Sequence, residues 1–232
     1  MSMPEILLSS GNYFNLLAPD ESDFTILDIA HALSNLCRFN GHTREFYSVA
    51  QHSVLVSQIV PFEDQMSGLM HDAAEALVGD MVRPFKNILP DYRAIEKSVE
   101  AAVLKRFDIS AIPASVTHAD LILLATERRD LLPHDDRQWA LLTGITPLDA
   151  RIEPWTPTRA EFEFLNRYSF LTGVPPTFAD LPPAFAREVR QGMAEARAEF
   201  EAYKATLRTG TADQAKPFED IECVTNETRE AT

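Results

Sequence analysis

An all-α fold is what this sequence predicts, and three observations predict it. Apolar residues recur three and four apart in segment after segment. No period-2 alternation runs long enough to assert a central sheet. Capping and breaking residues (Asp28, Gly79, Asp91, Pro113) stand where those segments begin or end. No internal repeat is present.

The elements follow in order. Asp28 is placed to cap a helix through about Cys37, and two more helices are expected near 46–60 and 64–78. Asp91 precedes a helix running to about Phe107, and Pro113 opens the helix that contains Asp120. From Leu132 to Pro157 the chain is rich in proline and turn residues, a loop long enough to be functional although its sequence names no ligand. Thr158 and Glu161 then form a capping-box match ahead of Phe162, Leu165 and Tyr168. A charged helix over about 184–207 carries Ala and Phe on one side; it reads as a solvated packing helix, with a homodimer contact as the alternative. After Gly210 the segment is polar and acidic, so 209–232 is expected to be a disordered tail behind a single domain over 1–208.

Composition sets the outer limits. With 232 residues and 45% hydrophobic content, the chain can bury one substantial core, and a second full domain would be crowded. A net charge of -14 argues against a nucleic-acid polymer as partner, because phosphate backbones attract basic faces. No apolar run approaches a membrane span, and the opening Met-Ser-Met-Pro-Glu lacks the basic region of a signal peptide; a cytoplasmic location is expected. Cys37 and Cys223 are too few for a disulfide framework, so reduced thiols are expected.

The chemistry centres on His71-Asp72, in Leu69-Met70-His71-Asp72-Ala73-Ala74-Glu75-Ala76-Leu77-Val78-Gly79-Asp80. Met66, Leu69, Met70, Ala73, Ala74 and Leu77 recur at helical spacing, which predicts one buried helix carrying His71, Asp72 and Glu75 and ending near Asp80. Three titratable groups on one such surface are costly to bury unpaired, and a divalent cation is a natural partner. His52 falls within the apolar stripe of Val49, Val56, Ile59 and Val60, and Asp120 is set in the apolar run around Leu121 to Leu124. Taken singly, His52 reads as a satisfied core histidine and Asp120 as a helix-start or ion-paired residue. Together, two imidazoles and two carboxylates make a mixed N/O set suited to Mn, Co, Fe, Ni or Zn more than to Ca or Mg.

With His52, His71-Asp72 and Asp120 in this order, the chain resembles the HD-domain phosphohydrolases, an all-helical family with the pattern H…HD…D. The stretch from His71 to Asp80, followed by Pro84 and Lys86, is similar to the bacterial 5′-deoxynucleotidases and to related phage deoxynucleoside triphosphate hydrolases. The resemblance covers about residues 26–131 and implies an HD-domain helical bundle with a C-terminal helical extension over about 158–208. It implies that His52, His71, Asp72 and Asp120 are metal ligands and that Glu75 orients or activates the attacking water. It places Asp80 near the leaving group or sugar, and makes Arg38 the substrate-contacting arginine. Phe39 stands where the deoxynucleotidases carry a tryptophan credited with excluding the ribose 2′-hydroxyl, and the intervals from His52 to His71 and from Asp72 to Asp120 are shorter than in those enzymes.

The resemblance implies one divalent transition-metal ion per chain, since binuclear members generally place extra histidines between the HD pair and the final Asp, where, of the spare histidines in this region (His31, His42 and His118), only His118 lies. Arg38 offers phosphate a bidentate fork and Lys86 a point charge, with an exposed surface cation as the alternative for each. His42, in Asn40-Gly41-His42-Thr43, belongs to a loop near the substrate or caps a turn. The expected activity is hydrolysis of a nucleotide, a deoxynucleoside monophosphate first and a triphosphate second. A signalling-nucleotide hydrolase ranks below both, since no Gly-Tyr-Pro signature is present. The other class is a metal-binding scaffold or regulator, against which the acids Glu75 and Asp80 speak.

Overall fold

The structure, a computed structural model, describes residues 4–174 together with Gln191 and Ala194. It is mostly helical, with one two-stranded antiparallel hairpin among the described residues: β1 (Glu5–Leu7) pairs with β2 (Tyr13–Asn15), Ile6 opposite Phe14. Strands of three residues are too short to show alternation, and the sequence reading did not include them.

The first helix, α1 (Ile26–Asn35), starts at Thr25 rather than at Asp28. Thr25 is the extended N-cap and Asp28 is the returning member of a capping box, accepting the Thr25 backbone N–H at 3.0 Å. The same buried carboxylate accepts from the Ser9 hydroxyl and the Ser10 N–H, which holds the hairpin against α1. An isolated bridge between Cys37 and Ser48 then closes the loop that follows, and Ser48 caps α2 (Val49–Ile59).

Helix α2 is the axis of the molecule. Val49 to Ser57 are all buried, because α1, α3 (Gln65–Met70), α7 (Ala114–Asp130) and α8 (Pro157–Thr172) surround it. One apolar cluster on one side joins Val49, Ala50 and Val54 to Leu33, Leu69, Phe164 and Leu165. A second on the other side joins Leu55 and Val56 to Val116, Ala119 and Leu123. The crossing of α3 over α2 depends on Gly68, where an added Cβ would stand 3.0 Å from Ser57 Cα, so any side chain there forces the helices apart.

The single helix expected over 64–78 is two short ones. Between α3 and α4 (Glu75–Val78), residues 71–74 form a turn: Ala73 N–H bonds Met70 O and Glu75 N–H bonds Asp72 O, each three residues back. His71 and Ala74 keep helical angles, so the path continues while the bonding tightens. Gly79, at φ 84°, ends α4. After α5 (Arg83–Lys86), α6 (Pro90–Arg106) begins at Pro90, one residue before the expected Asp91, and packs on α4.

The start of α8 also differs from the expectation. The cap of α8 is Thr156, whose hydroxyl accepts the Arg159 N–H ahead of Pro157 at the first helical position; Thr158 and Glu161 lie within the helix. This helix, expected as an extension, packs into the same core as α1, α2 and α3. The 132–157 segment contains a short 3-10 turn (Ala140–Leu142) and is tied to α7 by Arg129 on the Leu148 and Ala150 carbonyls. Gln51 clamps its end, donating to Glu153 O and accepting from Trp155 N–H. Of the helix expected over 184–207, only Gln191 and Ala194 are among the described residues, both exposed and helical; its homodimer alternative and the tail after 210 lie outside them. No helix among the described residues is long and apolar enough to cross a membrane.

Glu161 faces His31 across the α1–α8 contact, at 3.4 Å. The hydrogen bond to Glu161, partly opposed by burial, raises the His31 pKa above its ordinary 6.5. A raised folded value means the pair stabilises fully below the unfolded pKa, and the contribution fades as pH rises through the folded one. Thermal melts should therefore show wild type above His31→Gln by roughly a few degrees near pH 5.5 and by little near pH 8.5. An equal gap at both values would remove the pair from the stability account.

Candidate metal centre

The central helix brings in His52, which is fully buried. The tight turn after α3 supplies His71 and Asp72, and α7 supplies Asp120. His52 Nε2 lies 3.2 Å from His71 Nε2, 3.5 Å from Asp72 Oδ2 and 3.3 Å from Asp120 Oδ1. His71 Nε2 is 3.3 Å from Asp72 Oδ2. His52, His71 and Asp72 form a group able to hold a metal ion, their ligand atoms all within 4.8 Å of one another. Asp120 stands outside that trio and reaches it through His52.

The hydrogen bonds decide which nitrogens are free. His71 Nδ1 lies 2.8 Å from the Gly68 carbonyl, which can only accept, so Nδ1 carries the hydrogen. His52 Nδ1 lies 2.6 Å from Glu127 Oε1 and donates to it. Both imidazoles therefore turn Nε2 inward, and when neutral each presents a lone pair to the other and to Asp72. Such a convergence is unfavourable unless a positive charge lies within it, which is what the donor set of a transition-metal site requires.

The ionisation tendencies agree. Burial and the Arg38 charge pull the His52 pKa down, but Glu127 and Asp120 outweigh them and push it up to about 9. Burial works against ionisation of Asp72 and Asp120; His71 beside the first and His52 beside the second hold both below their ordinary value. The cluster thus favours anions on its carboxylates and a cation among them.

Around it stand the remaining expected residues. Arg38 follows the Cys37–Ser48 bridge, and its guanidinium is spread between Asp72 Oδ2 and Glu127 Oε2, each at 3.3 Å. Its Nε is buried without a hydrogen-bond partner among the described residues. Phe39 and Asn40 both adopt left-handed backbone angles (φ 54° and 51°), and Gly41 continues the turn at φ 76°. Two successive non-glycine residues in this region store strain beside the cluster. The Arg38 guanidinium lies 5.5 Å from the Phe39 ring centroid.

Glu75 begins α4 with Oε1 at 3.3 Å from Lys86 Nζ, while Oε2 is buried without a hydrogen-bond partner among the described residues. Burial, then the charges of Asp72 and Asp80, raise its pKa well above the ordinary value. Asp80 follows Gly79, whose carbonyl accepts from the Tyr92 hydroxyl at 3.0 Å; burial raises its pKa too, against the pull of Arg38. Lys86 is not a free cation, since it also pairs with Glu96 at 2.5 Å. His42 is exposed at the end of the left-handed turn, and no hydrogen bond or ion pair joins its side chain to the cluster among the described residues.

Sequence reasoning missed Glu127. This residue is 0% exposed, sits one oxygen on His52 and the other on Arg38, and is held below its ordinary pKa, against burial, by those two neighbours. A signal existed: Glu127 stands seven residues after Asp120, hence on the same face of α7 two turns on.

The fold and the cluster together define an all-α protein with a buried histidine–carboxylate centre able to hold a metal ion. The chain belongs to the family of the uncharacterized protein YfdR of Escherichia coli strain K12, with which it is 42% identical over 165 residues, covering 70% of this chain and 93% of that protein. It is also similar to an uncharacterized protein of Rhodobacter capsulatus, at 36% identity over 121 residues, 47% of this chain and 62% of that one. No protein-family model matches the chain.

Proposed function

We propose that this protein is an HD-type, metal-dependent phosphohydrolase of nucleotides, a 5′-nucleotidase acting on deoxynucleoside monophosphates. The observation that carries the reading is the convergence of His52 Nε2, His71 Nε2 and Asp72 Oδ2, with Arg38 on one flank and the buried Glu75 carboxylate at the next turn. His52, His71, Asp72 and Asp120 would hold the ion. When bound, a divalent ion supplies Lewis-acid neutralisation of phosphoryl charge and lowers the pKa of water.

The chain's own residues do the rest. Glu75 has a raised pKa and an unpartnered oxygen, which suits it to accept a proton from the attacking water. Arg38 stays charged and offers its remaining N–H groups to a phosphate oxygen, while Lys86 is shared between Glu75 and Glu96. We assign Asp80 to the leaving group or sugar, and Phe39 to the sugar. Asp72, Glu75, Asp80, Asp120 and Glu127 outnumber Arg38 and Lys86, both already paired. That balance supports a substrate of few phosphates over a deoxynucleoside triphosphate. A scaffold with a structural ion would gain nothing from a strained Arg38–Gly41 turn and a partnerless buried Glu75 oxygen.

The test is a panel of ribo- and deoxynucleoside mono-, di- and triphosphates with metal-loaded protein, products identified chromatographically. Release of phosphate and nucleoside from deoxy monophosphates supports the reading, and an inert panel refutes it. Phe39→Trp should raise the deoxy-to-ribo ratio of kcat/KM by narrowing the space beside the sugar. Equal ratios in the two proteins would move Phe39 out of the sugar pocket.

A further inference from the structure

We infer that Glu127 is a positioning residue that couples the hold on the metal to the hold on phosphate, one carboxylate oxygen fixing His52 and the other fixing Arg38. The inference rests on the metal and phosphate roles proposed above. Oε1 takes the Nδ1 hydrogen of His52 at 2.6 Å, which selects the tautomer whose Nε2 faces His71, Asp72 and Asp120. Oε2 takes an N–H of Arg38 at 3.3 Å, while the other terminal nitrogen of Arg38 reaches Asp72 Oδ2, also at 3.3 Å. His52, Glu127, Arg38 and Asp72 thus form a chain of contacts in which the two ligands are joined through a carboxylate and a guanidinium.

Packing does not call for this carboxylate. Helix α7 already meets α2 through Leu55, Val56, Val116, Ala119 and Leu123, and a buried charged group is often replaceable by an apolar one without loss of stability. What Glu127 adds is division of the Arg38 charge. Without it the guanidinium would fall on Asp72 alone, where it would compete with the ion for a ligand oxygen and turn its N–H groups away from phosphate.

The two oxygens make the proposal separable by substitution. Glu127→Gln keeps an oxygen for the His52 N–H but must turn its amide NH2 toward Arg38, setting donor against donor. Glu127→Ala removes both contacts. Co²⁺ serves as the metal probe, read by its visible absorption and by competition with a chelator. Inorganic phosphate, read as a perturbation of that spectrum, is the second probe.

Glu127→Ala should bind Co²⁺ roughly 10- to 100-fold more weakly, with a changed spectrum. Glu127→Gln should hold Co²⁺ within a few-fold of wild type yet need about ten-fold more phosphate, the scale of one charge-assisted contact. Should Glu127→Ala fail to fold, the near-isosteric Gln variant decides alone. Retained Co²⁺ with weakened phosphate supports the coupling; unchanged phosphate binding, or Co²⁺ and phosphate lost to the same extent, overturns it. If wild type itself takes up no Co²⁺, the proposed metal reading falls and this inference with it. If wild type binds both probes and the variants match it, the metal reading stands and only the role of Glu127 falls.

Discussion

Asp72→Asn is expected to strip the protein of both its metal and its hydrolytic activity. Asp72 Oδ2 meets both inward imidazole nitrogens and a terminal nitrogen of Arg38, so no other oxygen of the site has as many partners. An amide keeps the volume but removes the charge, leaving Arg38 and two imidazoles around a neutral group. His71→Ala should act alike, by removing one of the two opposed nitrogens. Activity should drop by more than the roughly 10- to 100-fold typical when only a ligand's supporting partner is lost. Elemental analysis of purified wild type should find about one transition-metal ion per chain, the count for one mixed histidine–carboxylate site. Wild-type metal content in both variants would exclude the ligand set.

Glu75→Ala should separate chemistry from binding. The Glu75 carboxylate is one turn beyond His71, and its ion pair runs to Lys86 and not to either imidazole, so the ion and much of the substrate affinity should survive its removal. The loss should appear in kcat, by roughly 10²-fold or more, the scale of a positioned general base. Glu75→Gln should match Ala, because it restores the volume and a contact for Lys86 without the basicity. Arg38→Ala provides the contrast, raising KM as well as lowering kcat. Full activity in Glu75→Gln with metal bound would reassign the proton to Asp80 or to no side chain at all.

What could be read beforehand depended on how local each signal was. His52, His71, Asp72 and Asp120 stood out because ligand-type residues interrupt apolar helical runs, and that contrast is written within a few positions of each. The break at 71–74 was hidden because the backbone stays in the helical region while its bonds shift to residues three back, and no glycine or proline marks the change. Arg38 and Lys86 looked like open cations. Their carboxylate partners are folding products, Glu127 lying 89 positions from Arg38, and nothing local announces such a pair. Glu127 itself precedes Arg128 and Arg129 and so resembles the charged end of a surface helix. Asp28 stands out over Thr25 because a capping box contains two cap-like residues, and Thr158 over Thr156 because two threonines stand two positions apart; only the backbone angles tell which one precedes each helix.

The most direct measurement is a metal titration of chelator-treated protein in the presence of 2′-deoxyadenosine 5′-monophosphate, following phosphate release. The proposed function predicts no release before addition and a rate that rises with Mn²⁺ or Co²⁺ and saturates near one ion per chain, with Asp72→Asn flat throughout. Release that ignores the metal, or that persists in Asp72→Asn, would contradict it.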